Sequence, residues 1–217
     1  MFKIGLIRPV IVLLAICTFS PAYGQSTFFD KGESGYGILV GYSGAEDVNG
    51  FWATVGQSFK GVFDVGFEAG KYEDNWAYGG YASYYPIKGR TMAKPLAVAI
   101  DLSVGIMDQS RQTWQGSVDR KYTQLTAGLS LHHTLVTSPT SFIELMYGGS
   151  VAWLFDGSDG EKGQGVISVG VPLGFKMSAS TNFLIAPSML FAEDVTTFSI
   201  AVGFTGLSGR KIRDWED

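Results

Sequence analysis

Pro95-Leu96-Ala97-Val98-Ala99-Ile100-Asp101-Leu102-Ser103-Val104-Gly105-Ile106-Met107-Asp108 alternates large and small side chains with a period of two. Leu96, Val98, Ile100, Leu102, Val104 and Ile106 fall on one face; Ala97, Ala99, Asp101, Ser103 and Gly105 fall on the other. Period two is the signature of a β-strand, whose successive side chains leave opposite sides of the pleat. A strand exposed to water on one face carries Lys, Glu, Arg and Thr there. A strand with large apolar residues on one side and small or polar ones on the other suits a wall between lipid and a narrow lumen.

The N-terminus fits that setting. Lys3 and Arg8 precede the apolar run Val10–Ile16, followed by Pro21 and Ala22-Tyr23-Gly24 ahead of Gln25. A basic start, a short apolar core and small residues at −3 and −1 predict a secretory signal peptide over 1–24, cleaved after Gly24. The run falls short of the ~20 residues of a transmembrane helix. Ile16 stands before Cys17, where lipid attachment wants a small residue. Removing the leader takes away the one cysteine, so thiolate metal sites, disulfides and thiol nucleophiles drop out. It also takes Lys3 and Arg8 but no acid, leaving 14 basic against 20 acidic residues. Such a surface argues against a nucleic-acid partner.

Ten segments read as strands: 35–43, 49–59, 61–71, 76–86, 95–108, 121–135, 141–155, 164–177, 182–192 and 195–206. The last repeats the opening pattern, with Phe198, Ile200, Val202 and Phe204 against Thr197, Ser199, Ala201 and Gly203. Four segments are less regular, and eight strands is the competing count. The odd connections, around Ser43–Asn49, Tyr72–Asn75, Gln109–Arg120, Asp156–Gly163 and Glu193–Asp194, are acidic or polar. The even ones are Lys60, Ile87–Lys94, Val136–Thr140 and Ser178–Thr181. Longer outer loops, shorter periplasmic turns and an even strand number are the outer-membrane pattern. Trp52, Trp76 and Trp153 flank the outer connections, while Phe59, Tyr84, Tyr85, Phe142, Phe175 and Phe183 lie at the opposite ends. These aromatics are expected to form the two interfacial girdles. Many of the 29 glycines fall inside strands, as tight coiling around a cramped interior requires.

In signal, alternation, loop parity and girdles, residues 35–206 resemble the small outer-membrane β-barrels of Gram-negative bacteria, the broad OmpA-like and OmpX-like group. The resemblance implies an all-β fold: a closed, antiparallel, up-and-down transmembrane barrel. Residues 25–34 would form an N-terminal periplasmic segment and 207–217 a charged C-terminal tail. It further implies a bacterial outer-membrane location, with outer-membrane lipids and the barrel assembly machinery as partners. Many such barrels end on an aromatic, whereas Phe204 here is followed by Thr205–Asp217.

Symmetric hairpins would set His132 opposite Glu144, Ser130 opposite Met146 and Glu144 opposite Lys176. A Ser130-His132-Glu144 group has the ingredients to activate a hydroxyl nucleophile. It resembles outer-membrane lipid A deacylases in fold and residue types, although their order is His-x-Ser and this chain reads Ser130-Leu131-His132. The other reading is a lumenal Glu144–Lys176 ion pair with His132 beside it. Asp64, Glu68 and Asp101 join Glu144 and Lys176 on the inward face, an acid-rich lumen that would favour cations if it conducts. His132 and His133 point to opposite faces and cannot share a metal. Gly157-Ser158-Asp159-Gly160-Glu161 lacks the spaced ligands of a calcium loop. No metal or cofactor is expected.

The sequence thus predicts a porin-like, non-enzymatic outer-membrane barrel. Its role would be structural support, contact with an extracellular ligand or host surface through acidic loops, or permeation of small solutes and cations. Two alternatives stay open: a secreted soluble β-barrel binding an apolar ligand, with Leu96–Ile106 turned inward, and a lipid A deacylase-like enzyme.

Overall fold

The computed structural model describes residues 29, 31–45, 48–89, 94–113, 116–138, 140–155, 162–192 and 195–208. The expected leader and cleavage site, Gly157–Glu161 and nearly all of the expected charged tail lie outside them. Eleven strand segments follow in order: β1 (Gly35–Ala45), β2 (Val48–Phe59), β3 (Phe63–Tyr72), β4 (Asn75–Ile87), β5 (Leu96–Thr113), β6 (Gly116–Thr137), β7 (Ser141–Phe155), β8 (Lys162–Gly170), β9 (Leu173–Lys176), β10 (Thr181–Ala192) and β11 (Val195–Leu207). Each pairs antiparallel with its neighbour, and β1 pairs with β11 from Gly35↔Leu207 to Gly44↔Phe198, which closes the sheet.

The barrel has ten staves, because β8 and β9 are one. Ser188↔Gly170 and Ile185↔Leu173 belong to a single register with β10, and Met146↔Gly170 and Ile143↔Leu173 to a single register with β7. Between them sits Pro172, which has no N–H to give the ladder. The backbone bridges the gap: Val171 N–H donates to Pro187 O and Glu144 N–H to Pro172 O. The ten-strand count holds, and the eight-strand alternative does not.

Alternation fixes which face meets lipid. Leu96, Ile100, Leu102, Val104 and Ile106 are open on the outer surface, with Leu102 51% exposed, while Ala97 and Ala99 are buried inside. The same outward apolar row runs through Ile38 and Val40, Val55, Phe67, Leu129, Ile167 and Val202. Water would make a surface of this breadth untenable, whereas lipid makes it the stable one. The soluble barrel needed Leu96–Ile106 inside, and the structure turns them outward.

A three-residue reversal joins β2 to β3 and a two-residue one joins β3 to β4. Lys60 and Gly61 both take left-handed φ, 53° and 62°, and Val62 N–H closes the turn on Phe59 O. That conformation suits the right-handed twist of the flanking strands. One expected loop is absent: Gln109–Arg120 is not irregular but a continued ribbon, paired from Gln109↔Arg120 to Thr113↔Gly116. β4 ends its pairing at Trp76↔Asp108, so five residue pairs stand beyond the neighbouring stave. At ~3.3 Å per residue this adds about 17 Å of strand.

The interior is filled. Leu39, Trp52, Tyr72, Met107, Tyr122, Met146 and Leu184 belong to one buried apolar cluster, and polar side chains occupy the remaining inward positions. A ten-stave barrel is narrow enough for side chains to pack across it.

Candidate functional site

Trp52 shows how the filling works. It alternates with Thr54 and Ser58 on the inward face, while Phe51, Val55 and Phe59 point out. The indole Nε1 donates to Ser43 Oγ at 2.8 Å, and Ser43 is hydrogen-bonded to Ser199 across the β1–β11 seam. A Cβ on Gly41 would overlap the Trp52 ring, so the glycine makes the space that the indole fills. Trp52 is therefore a lumenal filler and not a girdle residue. Tyr85 and Phe142 are likewise turned inward by the parity of their strands. Trp76, Tyr84 and Phe175 face outward and are exposed, with Trp76 stacked on Tyr78 at 6.2 Å. Trp153 is half-buried opposite the exposed Leu125.

The inward polar residues concentrate on β3 to β7. Asp64, Glu68 and Glu144 are buried and Asp101 is half-buried, all on the lumenal face. Asp101 lies opposite Ser83 on β4 and diagonal to Ser130 on β6. Its two oxygens each accept one hydroxyl: Ser83 Oγ at 2.6 Å on Oδ1, and Ser130 Oγ at 2.6 Å on Oδ2. Ala97, Ala99 and Gly128 face these groups, and their small size leaves room for the array.

From Ser130 the array continues to His132, with Oγ 3.2 Å from Nε2, and His132 Nδ1 lies 4.0 Å from Glu144 Oε2. The tyrosine ring of Tyr85 packs against the imidazole at 5.6 Å between centroids, and Lys88 Nζ lies over the Tyr85 ring, 4.3 Å from its centroid. The sequence places Tyr85 among the girdle aromatics and not in this array, and Lys88 lies past the last regular residue of β4, where period two stops being informative.

Ser130, His132 and Glu144 do come together, by a register other than the symmetric one. His132 faces Met146, Ser130 faces Gly148 and Thr134 faces Glu144. The turn is centred one to two residues later than Ser138, because Ser138 Oγ accepts from the backbone N–H groups of Thr140 and Ser141. The register shift between Thr134 and Val136 takes back part of the offset. A separate offset, in the register of β7 with β8 and β9, parts Glu144 from Lys176. Glu144 lies beside Pro172, and Lys176 pairs at Thr140 and is exposed at the rim. The four intervening residues amount to about 13 Å, so the expected Glu144–Lys176 ion pair is not part of the lumen.

Hydrogen-bond direction decides what this array can do. Ser130 has one proton, which goes to Asp101 Oδ2 and not to His132. A serine nucleophile needs the reverse polarity, with Nε2 accepting from serine and Nδ1–H donating to the carboxylate. The observed order instead gives a carboxylate held by two hydroxyls, an anionic oxygen pair anchored in the lumen wall. Among the described residues no group of three or more His, Cys, Asp or Glu could hold a metal.

No protein-family model matches the chain, and no curated protein matches it in sequence. Solved structures do match in fold. The translocator domain of the autotransporter NalP from Neisseria meningitidis is 11% identical, with a TM-score of 0.59 over 89% of this chain and 96% of that one. The β domain of the Bordetella autotransporter BrkA is 11% identical, with a TM-score of 0.49 over 82% and 99%. The KdgM porin is also 11% identical, at 0.39 over 80% and 99%. The chain is a closed, antiparallel, ten-stranded up-and-down β-barrel of the kind found in bacterial outer membranes.

Proposed function

We propose that this chain, freed of its leader after Gly24, is a non-enzymatic outer-membrane barrel whose acid-lined lumen admits small cations and little else. One observation carries the reading: four carboxylates, Asp64, Glu68, Asp101 and Glu144, face inward, and among the described side chains Lys88, half-buried against Tyr85, is the one Lys or Arg that is not exposed. Carboxylates lining a constriction favour cations over anions. The side chains that fill the interior exclude the wide aqueous channel of a general porin, which needs ~16 staves. The hydrogen-bond polarity at Ser130 supports leaving the deacylase-like alternative aside. Outer-membrane lipids and the barrel assembly machinery are its expected partners.

Reversal potentials in planar bilayers under a salt gradient test this. The expected result is a small conductance with cation preference that falls in Asp101→Asn and Glu144→Gln. Anion preference, or a preference unmoved by both substitutions, would overturn it. The protruding β5–β6 ribbon favours a second role, contact with an extracellular ligand or host surface. It predicts that removing the ribbon abolishes surface binding while the barrel still assembles.

A further inference from the structure

Ser58 and Asp64 lie one residue inside the periplasmic ends of β2 and β3, opposite each other in register. Side chains at a barrel's rim should meet water, yet both are completely buried. Something covers this mouth. Phe29, six residues before β1, is also fully buried, whereas the outward aromatics at the same end are open: Tyr36 63%, Phe59 42% and Phe204 49% exposed. A fully buried ring at this end must therefore lie within the barrel.

Gly35 shows where the ring sits. It is the first residue of β1, faces inward and pairs with Ser58. A Cβ there would stand 2.7 Å from Phe29 Cε1, so the ring occupies the space a side chain at 35 would need. Phe29 is outside the buried apolar clusters of the lumen, and the inward positions beside Gly35 on β2 and β3, Ser58 and Asp64, are polar, while Leu207 faces Gly35 from β11. The segment carrying it turns at Gly32, whose φ is 99°, and is tied to the β2–β3 turn by two bonds. Gly32 N–H donates to Lys60 O at 2.8 Å, and Lys60 N–H donates to Ser34 Oγ at 2.9 Å.

We propose that Phe29 is a removable plug that closes the periplasmic mouth over Ser58 and Asp64. An apolar ring over Ser58 and Asp64, on a strap tied to the β2–β3 turn by two hydrogen bonds, can leave without breaking any strand pairing. The staves themselves are held by continuous ladders. Withdrawal would make Asp64 the first carboxylate met from the periplasm. The gating consequence rests on the cation-permeation reading above; the plug itself does not.

The leader holds the only cysteine, so a mature chain bearing Ser58→Cys carries a single thiol. Refolded into detergent micelles, it would be reacted with a trimethylammonium methanethiosulfonate, with heat-modifiable migration used to confirm folding. The thiol should react at least tenfold faster when Phe29→Ala is added. Ser34→Ala, which frees the strap at Lys60 and touches no strand contact, should act in the same direction and serves if Phe29→Ala does not fold. Equal rates in folded wild-type and variant backgrounds overturn the plug. Bilayer conductance of Phe29→Ala then separates the two readings. Faster labelling with higher cation conductance supports both, while faster labelling without conductance keeps the plug and refutes permeation.

Discussion

Replacing Leu102 by Arg tests the orientation of every stave at once. Leu102 is 51% exposed and flanked across the sheet by Ala82 and Ala127, so an arginine there meets no steric barrier. It lies next to the midpoint of the Leu96–Ile106 apolar row, which places it near the bilayer midplane. A lipid-facing Arg at that depth costs about 2–4 kcal/mol, a loss of roughly 30- to 900-fold in the folding equilibrium. Tyr36 is equally outward but lies near the periplasmic end, opposite Gly206 and Gln57. Tyr36→Arg should therefore cost only about 0–1 kcal/mol. On a water-facing surface both changes would fall within about 0.5 kcal/mol of wild type. Urea titrations of barrels folded in phospholipid vesicles, followed by the gel shift between folded and heated protein, measure both. A Leu102→Arg barrel as stable as wild type, or a larger loss at Tyr36, would refute the lipid-facing assignment.

Four further outcomes follow from the interior and the ribbon. Trp52→Ala should destabilise the barrel by about 3–5 kcal/mol through the cavity it leaves, whereas Trp52→Phe, which keeps most of the packing and loses the bond to Ser43, should cost markedly less in the same titration. Asp101→Leu leaves the hydroxyls of Ser83 and Ser130 without their acceptor and should cost more than Asp101→Asn, by about 1–3 kcal/mol; equal losses would mean that the hydroxyls find other partners. A Cβ on Gly174 would overlap the Phe142 ring, so Gly174→Ala should destabilise by about 1–3 kcal/mol, and Phe142→Leu should recover part of the loss in a double-mutant cycle. Joining Asp108 to Lys121 through Asn-Gly should leave heat-modifiable migration intact, because the deleted pairs form no ladder with β4 or β7.

The staves were legible because period two is a local property. Leu96–Ile106 and Phe198–Phe204 announce their lipid face from composition alone, and the boundaries of ten segments fall within a few residues of the observed ones except where β5 and β6 run on. That extension was hidden because Gln109–Arg120 is polar apart from Trp114 and Val118 and carries no alternation. Cross-strand neighbours were less legible, since they depend on turn geometry. The Ser138 hydroxyl, by accepting two backbone N–H groups, moves the centre of the β6–β7 turn and sets His132 opposite Met146, and a separate offset in the register of β7 with β8 and β9 parts Glu144 from Lys176. Trp52 was legible and misassigned: its parity with Thr54 and Ser58 places it inside, but proximity to a strand end was given more weight. Phe29 precedes the first periodic residue, and nothing local in the sequence marks it as a ring that folds back.

The seam between β1 and β11 has a consequence for how the chain reaches this shape. Every other neighbouring pair of staves is a hairpin, formed by residues that are close along the chain. Ser43 and Ser199, hydrogen-bonded across the seam, are 156 residues apart. Joining ends that distant costs about 4–5 kcal/mol of chain entropy, several times the cost for a short turn. Hairpins therefore zip first, and the last event is the meeting of the two terminal staves. Until then both carry unpaired edges, open to any strand that arrives. A catalyst of folding gains most by acting on that one encounter, and substitutions at Ser43, Ser199 or their seam neighbours should slow assembly far more than equal losses elsewhere in the wall.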